Sequence, residues 1–170
     1  MIERTIIEDN RGYLERLYCA DELRPVMHDR RIVQITHTMT AARGAVRGLH
    51  FQNPPWSDLK LVTCLRGEIF DVAVDLRRGS PTFRSWHAEI LSDSNRRSLV
   101  IPEGFAHGFQ SLVEGSEIIY CHTAFHEPSA EAGFNSMDEL LGIDWPQPVI
   151  GLSARDAGLP SVKDFQGIVL

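Results

Sequence analysis

Short runs in which apolar and polar residues alternate occupy roughly the first three quarters of the chain. Along Arg31–Thr40 apolar side chains recur at every second position, which is typical of a half-buried strand. Leu61–Leu65 and Ile69–Leu76 are joined by Arg66–Glu68, a short loop that contains glycine, and this arrangement indicates a β-hairpin. Further strands are predicted over the runs Ser85–Leu91, Leu99–Ile101 and Ile118–Phe125.

The N-terminal segment has its own strand, turn and helix signals. The β-branched run Thr5–Ile7, the turn residues Asn10–Gly12 and the pair Tyr13–Leu14 predict a strand, a turn and a second strand. The following residues, Glu15–Leu23, predict a brief helix, which Pro25 ends.

The run Ile69–Leu76 has two different faces. Every second residue from Phe70 to Leu76 is apolar, so that face belongs to the core. The opposite face carries Asp71 and Asp75, and we expect it to meet solvent; the alternative is that it lines a polar cavity.

Many short strands with Gly- and Pro-rich turns, and few helical patterns, predict an all-β sandwich or barrel, which we interpret as a jelly roll with short peripheral helices. The 170 residues suffice for one domain with a sizeable core and are too few for two ordinary ones, so we expect a single domain over residues 1–170.

The net charge restricts the kinds of binding partner that the protein can have, and the cysteine content indicates its cellular compartment. A formal net charge of -6 argues against nucleic-acid binding through a basic face, while it permits a local cationic site for a small anion. Cys19, Cys64 and Cys121 show no C-x-x-C spacing, which favours a reducing cytoplasm. The N-terminus lacks an apolar signal region and no run approaches the length of a membrane span, so we expect no membrane association.

The segment Arg47–Lys60 concentrates candidate chemistry, because it combines a guanidinium group, an imidazole and an ammonium group. In a regular strand the side chains of Arg47 and His50 would point to opposite sides, but Gly48 permits a bend that brings them together. A structural role is the alternative for His50, which lies between apolar neighbours.

A second informative segment, Ile101–His107, matches P-x-G-x-x-H, the second motif of the cupin superfamily, and so implies a cupin jelly-roll barrel, or double-stranded β-helix. In many cupins this histidine binds a metal beside an H-x-H pair of the first motif. Here Phe51 and Gln52 follow His50, so the pair is missing and we expect no metal site.

Several motifs in the same order resemble the dTDP-4-dehydrorhamnose 3,5-epimerase family over nearly the whole chain. Together they are much more specific than any one alone. They are Arg47–Gln52, Phe70–Arg77, Gly79–Phe83, Ile101–Phe109, Gly142–Pro146 and Leu152–Ala157.

The resemblance implies a nucleotide-sugar epimerase that needs no cofactor. The C–H bonds that flank the carbonyl of a 4-keto sugar are acidic, so inversion needs a base, an acid on the opposite face and a cation near the oxygen. By resemblance, His50 is the base, Asp156 orients it, Lys60 lies near the keto oxygen and Tyr120 returns a proton. The alternatives are a core position for Tyr120 and a helix cap for Asp156.

The resemblance also implies residues that bind the nucleotide sugar and a homodimer. The Asp9–Gly12 turn of the family reaches into the neighbouring subunit's site, so we expect residues 1–20 to be exchanged between subunits. The implied substrate-binding residues are Arg47, Arg11, Gln34, His107, Glu131 and Arg155.

Three departures from the family pattern leave alternatives open. Gln34–Thr36 replaces a Gln-x-Asn triplet, Arg16 replaces a glutamate, and Phe125 replaces the first tyrosine of a pair, which we expect to alter the outcome at one carbon. The alternatives are a C3-only or C5-only epimerase, an epimerase of a GDP- or CDP-linked 4-keto sugar, and a non-catalytic cupin sugar-binding module. An acid and a base together argue against the last.

Overall fold

Twelve β-strands and two short helices make up the chain in the computed structural model, which describes residues 1–170. The strands are β1 Ile2–Glu3, β2 Ile6–Asp9, β3 Gly12–Glu15, β4 Gln34–Thr40, β5 Val46–Gln52, β6 Lys60–Arg66, β7 Glu68–Asp75, β8 Trp86–Ser92, β9 Arg97–Ile101, β10 Phe105–Ser111, β11 Ser116–His122 and β12 Glu131–Gly133. The helices are α1 Arg24–Met27 and α2 Ala154–Ala157. No helix has the length and apolarity that crossing a membrane requires.

The strands form two five-stranded antiparallel sheets that face each other. The first has the order β1-β9-β6-β11-β4 and the second β12-β5-β10-β7-β8. Val62 and Ile118 of the first sheet pack with Ile69 and Phe109 of the second in one buried cluster between the sheets. This is the predicted jelly-roll barrel, and the prediction of an all-β fold with short peripheral helices is confirmed.

The segment from residue 134 to residue 168 covers the outer face of the second sheet. Phe134 and Leu49 exchange two backbone hydrogen bonds, of 3.0 and 3.1 Å. Val162 and Ile168 pack with Val72 of β7 in a second buried cluster. The second sheet is therefore buried on both faces, although only one of them faces the barrel interior.

The prediction that the carboxylate face of Ile69–Leu76 meets solvent is wrong. Asp71 is 0% and Asp75 1% exposed. Burial of the apolar face under residues 134–168 leaves the carboxylate face inside the barrel. Asp71 lies within hydrogen-bond distance of His107, and Asp75 accepts hydrogen bonds from the side chain of Arg77 at 2.7 and 2.9 Å.

The predicted helix over Glu15–Leu23 is also wrong, because that segment ends β3 and then forms turns. The helix α1 begins at Arg24, and Pro25 lies in its first turn. Proline is accepted there because the first N–H groups of a helix have no intrahelical partner. Pro25 therefore lies in the first turn of a helix and does not end one.

The predicted N-terminal strand, turn and strand are confirmed as β2 and β3, which form a separate two-stranded sheet. The apolar side chains of Ile7 and Leu14 pair across this hairpin and are exposed. Arg4 connects it to the barrel, since its buried guanidinium donates to Glu15 at 3.1 Å and to Ser98 of β9 at 2.5 Å.

Candidate active site

A cavity of about 980 Å³ opens between the two sheets. Polar and ionisable side chains from both sheets and from α2 line it, and nine of the ten predicted site residues are among them. They are Gln34, Arg47, His50, Lys60, His107, Tyr120, Glu131, Arg155 and Asp156.

A β-bulge brings Arg47 and His50 to the same side of β5. On β10, His107 is paired with His50 and Phe109 with Arg47, so β5 has one more residue between these pairs than β10. Gly48 lies in the bulge with a φ of 120°, and an added methyl group would lie 2.6 Å from the Cα atom of Gly108. The bend that the sequence predicted at Gly48 is therefore present, and this position requires glycine.

His50 forms an imidazole–carboxylate pair with Asp156. Its Nε2 atom lies 2.8 Å from Oδ1 of Asp156, whose other oxygen accepts the backbone N–H of Gly48 at 3.3 Å. Ser153 caps α2 by accepting the N–H of Asp156 at 3.0 Å, which fixes the carboxylate in place. Burial lowers the pKa of His50, and Asp156 opposes this shift only in part, so the imidazole is neutral near pH 7.

His107 forms a second pair of this kind with Asp71, at 2.7 Å between Nε2 and Oδ1. The other oxygen of Asp71 is buried without a hydrogen-bond partner. The ring of His107 meets the ring of Tyr120 edge-on at 5.8 Å. Burial, together with the charge of Asp71, raises the pKa of Tyr120 well above its ordinary value, so the phenol keeps its proton.

The candidate base and the candidate acid lie on facing walls of the cavity. His50 belongs to β5 in the second sheet, whereas Tyr120 belongs to β11 in the first. The ammonium group of Lys60, on β6 beside β11, makes no hydrogen bond or ion pair within the protein. Burial lowers the pKa of Lys60, and the negative charges of Asp58, Glu131 and Asp71 oppose this decrease. The ammonium group is thus available to a ligand.

The remaining lining residues that the sequence predicted are fixed by contacts at the edge of the cavity. Arg47 donates to the hydroxyl of Thr40 at 3.1 Å, and Arg155 donates to Glu131 at 2.8 Å. Gln34 accepts the backbone N–H of residue 126 at 3.2 Å and donates to a neighbouring threonine hydroxyl. The charge of Arg155 is thus compensated by Glu131, whereas Arg47 contacts only uncharged groups and keeps its charge for a ligand.

Arg11 and Phe125 lie outside the cavity of the single chain. The side chain of Arg11, at the tip of the N-terminal hairpin, is 85% exposed and pairs with Asp9 at 2.5 Å. The side chain of Phe125 is 59% exposed and does not line the cavity, so its expected effect on the outcome has no contact behind it and stays a prediction. Arg16, the third departure, forms an exposed ion pair with Glu22.

The sequence analysis missed a third imidazole–carboxylate pair, which joins His122 to Asp58. The Nδ1 atom of His122 lies 2.6 Å from Oδ2 of Asp58, and both residues line the cavity. Period-two alternation was an available signal, because His122 follows Tyr120 by two positions and Asp58 precedes Lys60 by two. The sequence offered no signal that the two residues, which are 64 positions apart, would be in contact.

No three His, Cys, Asp or Glu side chains are grouped so that they could hold a metal ion. Three of the four lining histidines, His50, His107 and His122, instead each form a pair with a single carboxylate. The chemistry that this arrangement offers is proton transfer between two walls, beside a lysine cation.

Comparisons with known proteins identify the family of the chain. The family model described as dTDP-4-dehydrorhamnose 3,5-epimerase matches residues 1–164. The dTDP-4-dehydrorhamnose 3,5-epimerase of Salmonella typhimurium is 41% identical over 162 residues, which cover 94% of this chain and 88% of the relative.

Two solved structures extend the similarity to three dimensions. The structure of a dTDP-6-deoxy-D-glucose-3,5-epimerase from Legionella pneumophila in complex with dTDP-4-keto-L-rhamnose has a TM-score of 0.90 at 38% identity, covering 95% of this chain and 86% of that one. A 3'-monoepimerase from Streptomyces bikiniensis in complex with dTDP-quinovose has a TM-score of 0.89 at 30% identity, covering 95% and 82%. The chain belongs to the dTDP-4-dehydrorhamnose 3,5-epimerase family.

Proposed function

We propose that this protein is an isomerase that inverts C3 and C5 of a dTDP-linked 4-keto-6-deoxyhexose. The observation that carries the proposal is the placement of a neutral imidazole and a protonated phenol on facing walls of one cavity, with an unpaired lysine between the sheets. Inversion at a carbon needs a base on one face and an acid on the other.

His50 removes the proton from the carbon next to the carbonyl through Nδ1, because Nε2 is held by Asp156. The electron pair of that C–H bond moves into the ring, and the carbonyl oxygen becomes an enolate, which the ammonium group of Lys60 stabilises. Tyr120 then donates its proton to the opposite face of the same carbon. Asp156 stabilises the imidazolium that His50 has become.

The nucleotide is bound by basic side chains at the rim. Arg47 and Arg155 carry forked guanidinium groups suited to a diphosphate, and His107, Gln34 and Glu131 complete the proposed binding set. A cavity of about 980 Å³ is large enough for a nucleotide sugar.

Arg11 joins this set only in a homodimer, which we propose on the evidence of the N-terminal hairpin. A two-stranded hairpin with exposed apolar side chains is marginal by itself and gains stability by pairing with another chain. We expect light scattering at micromolar concentration to give a dimer and Arg11→Ala to raise KM. A fully active monomer would contradict the proposal.

The proposed location is a reducing cytoplasm. Cys19, Cys64 and Cys121 are unpaired, and burial raises the pKa of the Cys64 thiol to about 12, which keeps it unreactive. Such a compartment also contains the nucleotide sugars that biosynthetic enzymes use.

Incubation of the protein with dTDP-4-keto-6-deoxyglucose in deuterated water tests the proposed function. We expect deuterium at both C3 and C5, located by NMR. Deuterium at one carbon would indicate a single-carbon epimerase, as in the Streptomyces bikiniensis monoepimerase. Exchange only with a GDP- or CDP-linked sugar would change the substrate, and binding without any exchange would identify a sugar-binding module.

A further inference from the structure

The pair formed by His122 and Asp58 has no part in the proton transfers assigned above, yet it lies inside the cavity. His122 is on β11, and in the register of the first sheet it is directly opposite Lys60 on β6 and Gln34 on β4. Residues directly opposite in an antiparallel sheet point to the same face, with Cβ atoms about 5 Å apart. The imidazole therefore lies in one row with the lysine.

The orientation of this imidazole is fixed by its hydrogen bond to Asp58. Asp58 accepts the backbone N–H groups of Thr123 and Ala124 on Oδ1, at 2.8 and 3.1 Å, and its Oδ2 lies 2.6 Å from Nδ1 of His122. Because the carboxylate can only accept, Nδ1 carries a proton, and in the neutral imidazole Nε2 is then left with its lone pair. Nε2 makes no hydrogen bond within the protein, and the side chain is 16% exposed.

We propose that His122 is a specificity-determining residue that accepts a hydrogen bond from a hydroxyl group of the hexose through Nε2, and that Asp58 is the residue that positions it. The proposal rests on the epimerase function proposed above. It commits to a hydroxyl group because a lone pair can accept from a hydroxyl but not from a carbonyl oxygen.

On one side the position borders the groups assigned to the sugar, and on the other it borders Gln34 of the proposed nucleotide-binding set. The ring of His122 lies 6.1 Å from the ring of Tyr120, the proposed proton donor, and its strand neighbour is Lys60, assigned to the keto oxygen. The guanidinium groups assigned to the diphosphate, those of Arg47 and Arg155, come from β5 and α2 instead.

A purely structural role would also explain the contact between His122 and Asp58. However, the two oxygens of Asp58 differ in their need for this contact. Backbone N–H groups satisfy Oδ1, and only Oδ2 depends on His122 for a hydrogen bond. Two substitutions separate the alternatives. In His122→Asn the amide replaces Nδ1 and keeps the contact with Asp58, whereas in His122→Gln the amide reaches the position of Nε2 and loses that contact.

The test compares these variants with the unsubstituted protein, using dTDP-4-keto-6-deoxyglucose for KM and kcat and thymidine diphosphate for calorimetric binding. We expect His122→Asn to raise KM by about 3- to 10-fold, the effect of one hydrogen bond between uncharged groups, with the Kd for thymidine diphosphate unchanged. We expect His122→Gln to retain most of the affinity, and Asp58→Asn to raise KM without changing the Kd.

Three results would overturn the inference while leaving the proposed function intact. They are an unchanged KM in His122→Asn, a loss of activity in His122→Gln alone, and a raised Kd for thymidine diphosphate, which would place the contact on the nucleotide. Failure of the unsubstituted protein to exchange deuterium would overturn the proposed function itself, so the two failures are distinguishable. Thermal unfolding of each variant shows whether it is folded.

Discussion

The pair of His50 and Asp156 allows the sharpest prediction, because one side chain is assigned to the chemistry and the other to its support. His50→Ala removes the group that starts the reaction, and the loss of a general base reduces kcat by about 10²–10⁴-fold. Binding of thymidine diphosphate should survive, since the guanidinium groups of Arg47 and Arg155, which are assigned to the diphosphate, are unchanged in this variant.

Asp156→Asn should reduce kcat less than His50→Ala does, and two distances show which contacts the amide would replace. The carboxylate lies 2.8 Å from Nε2 of His50 and 3.3 Å from the N–H of Gly48. The milder effect requires that the amide oxygen turns towards His50, because the proton then stays on Nε2. Replacing a charged acceptor with a neutral one costs about 1 to 1.5 kcal/mol, or about five- to tenfold in kcat.

The same substitution should also lower stability. Once the amide oxygen faces His50, the NH₂ group faces the N–H of Gly48, so a buried hydrogen bond is lost at a cost of about 1 kcal/mol. The free energy of unfolding in urea measures this loss.

The assay for both variants is deuterium incorporation at C3 and C5, measured beside calorimetric binding of thymidine diphosphate. Near-normal exchange by His50→Ala would show that the base lies elsewhere, and lost binding with residual exchange would make His50 a ligand residue. Equal losses of kcat in the two variants would refute the argument that Asp156 acts by supporting the charge of His50. It would indicate that the carboxylate instead decides which nitrogen carries the proton.

Three further predictions follow from the site and its supports. Burial lowers the pKa of His50 below 6.5 and that of Lys60 below 10.5. We therefore expect kcat/KM to fall in acid only below pH 6.5 and in alkali before pH 10.5. A pH profile without these two decreases would contradict the assignment of His50 as base and Lys60 as the cation. Gly48→Ala should lower stability by about 2 kcal/mol or more in thermal unfolding, because the methyl group meets the backbone of β10. A chelator should leave kcat unchanged, and activity restored by one divalent ion would refute this.

Local patterns in the sequence predicted the strands and singled out Arg47, His50 and Lys60, whereas the other site residues came from the resemblance to a family. Alternation marks β4 and β7, and the glycine at position 48 indicated the bend that brings Arg47 to the side of His50. The pairing of His50 with Asp156 came from the resemblance to a family, since no spacing rule connects side chains 106 residues apart.

The errors arose where a distant part of the chain decided the outcome. Alternation along β7 was read correctly, but the fate of Asp71 depended on the irregular segment from residue 134 to residue 168, whose cover over the other face has no periodic signal. His122 and Asp58 each have an ordinary local context, and only the register of β6 against β11 brings them together.

The segment that covers the second sheet also supplies Asp156, so the packing of one segment both completes the core and positions the carboxylate that supports the base. Until residues 134–168 have packed against β5 and β7, His50 has no carboxylate beside it. A chain that has formed its barrel but not this cover would have the lysine and the phenol in place without a supported base. Activity therefore reports on the completeness of folding, and proteolytic cleavage within this segment should abolish turnover and loosen the barrel together.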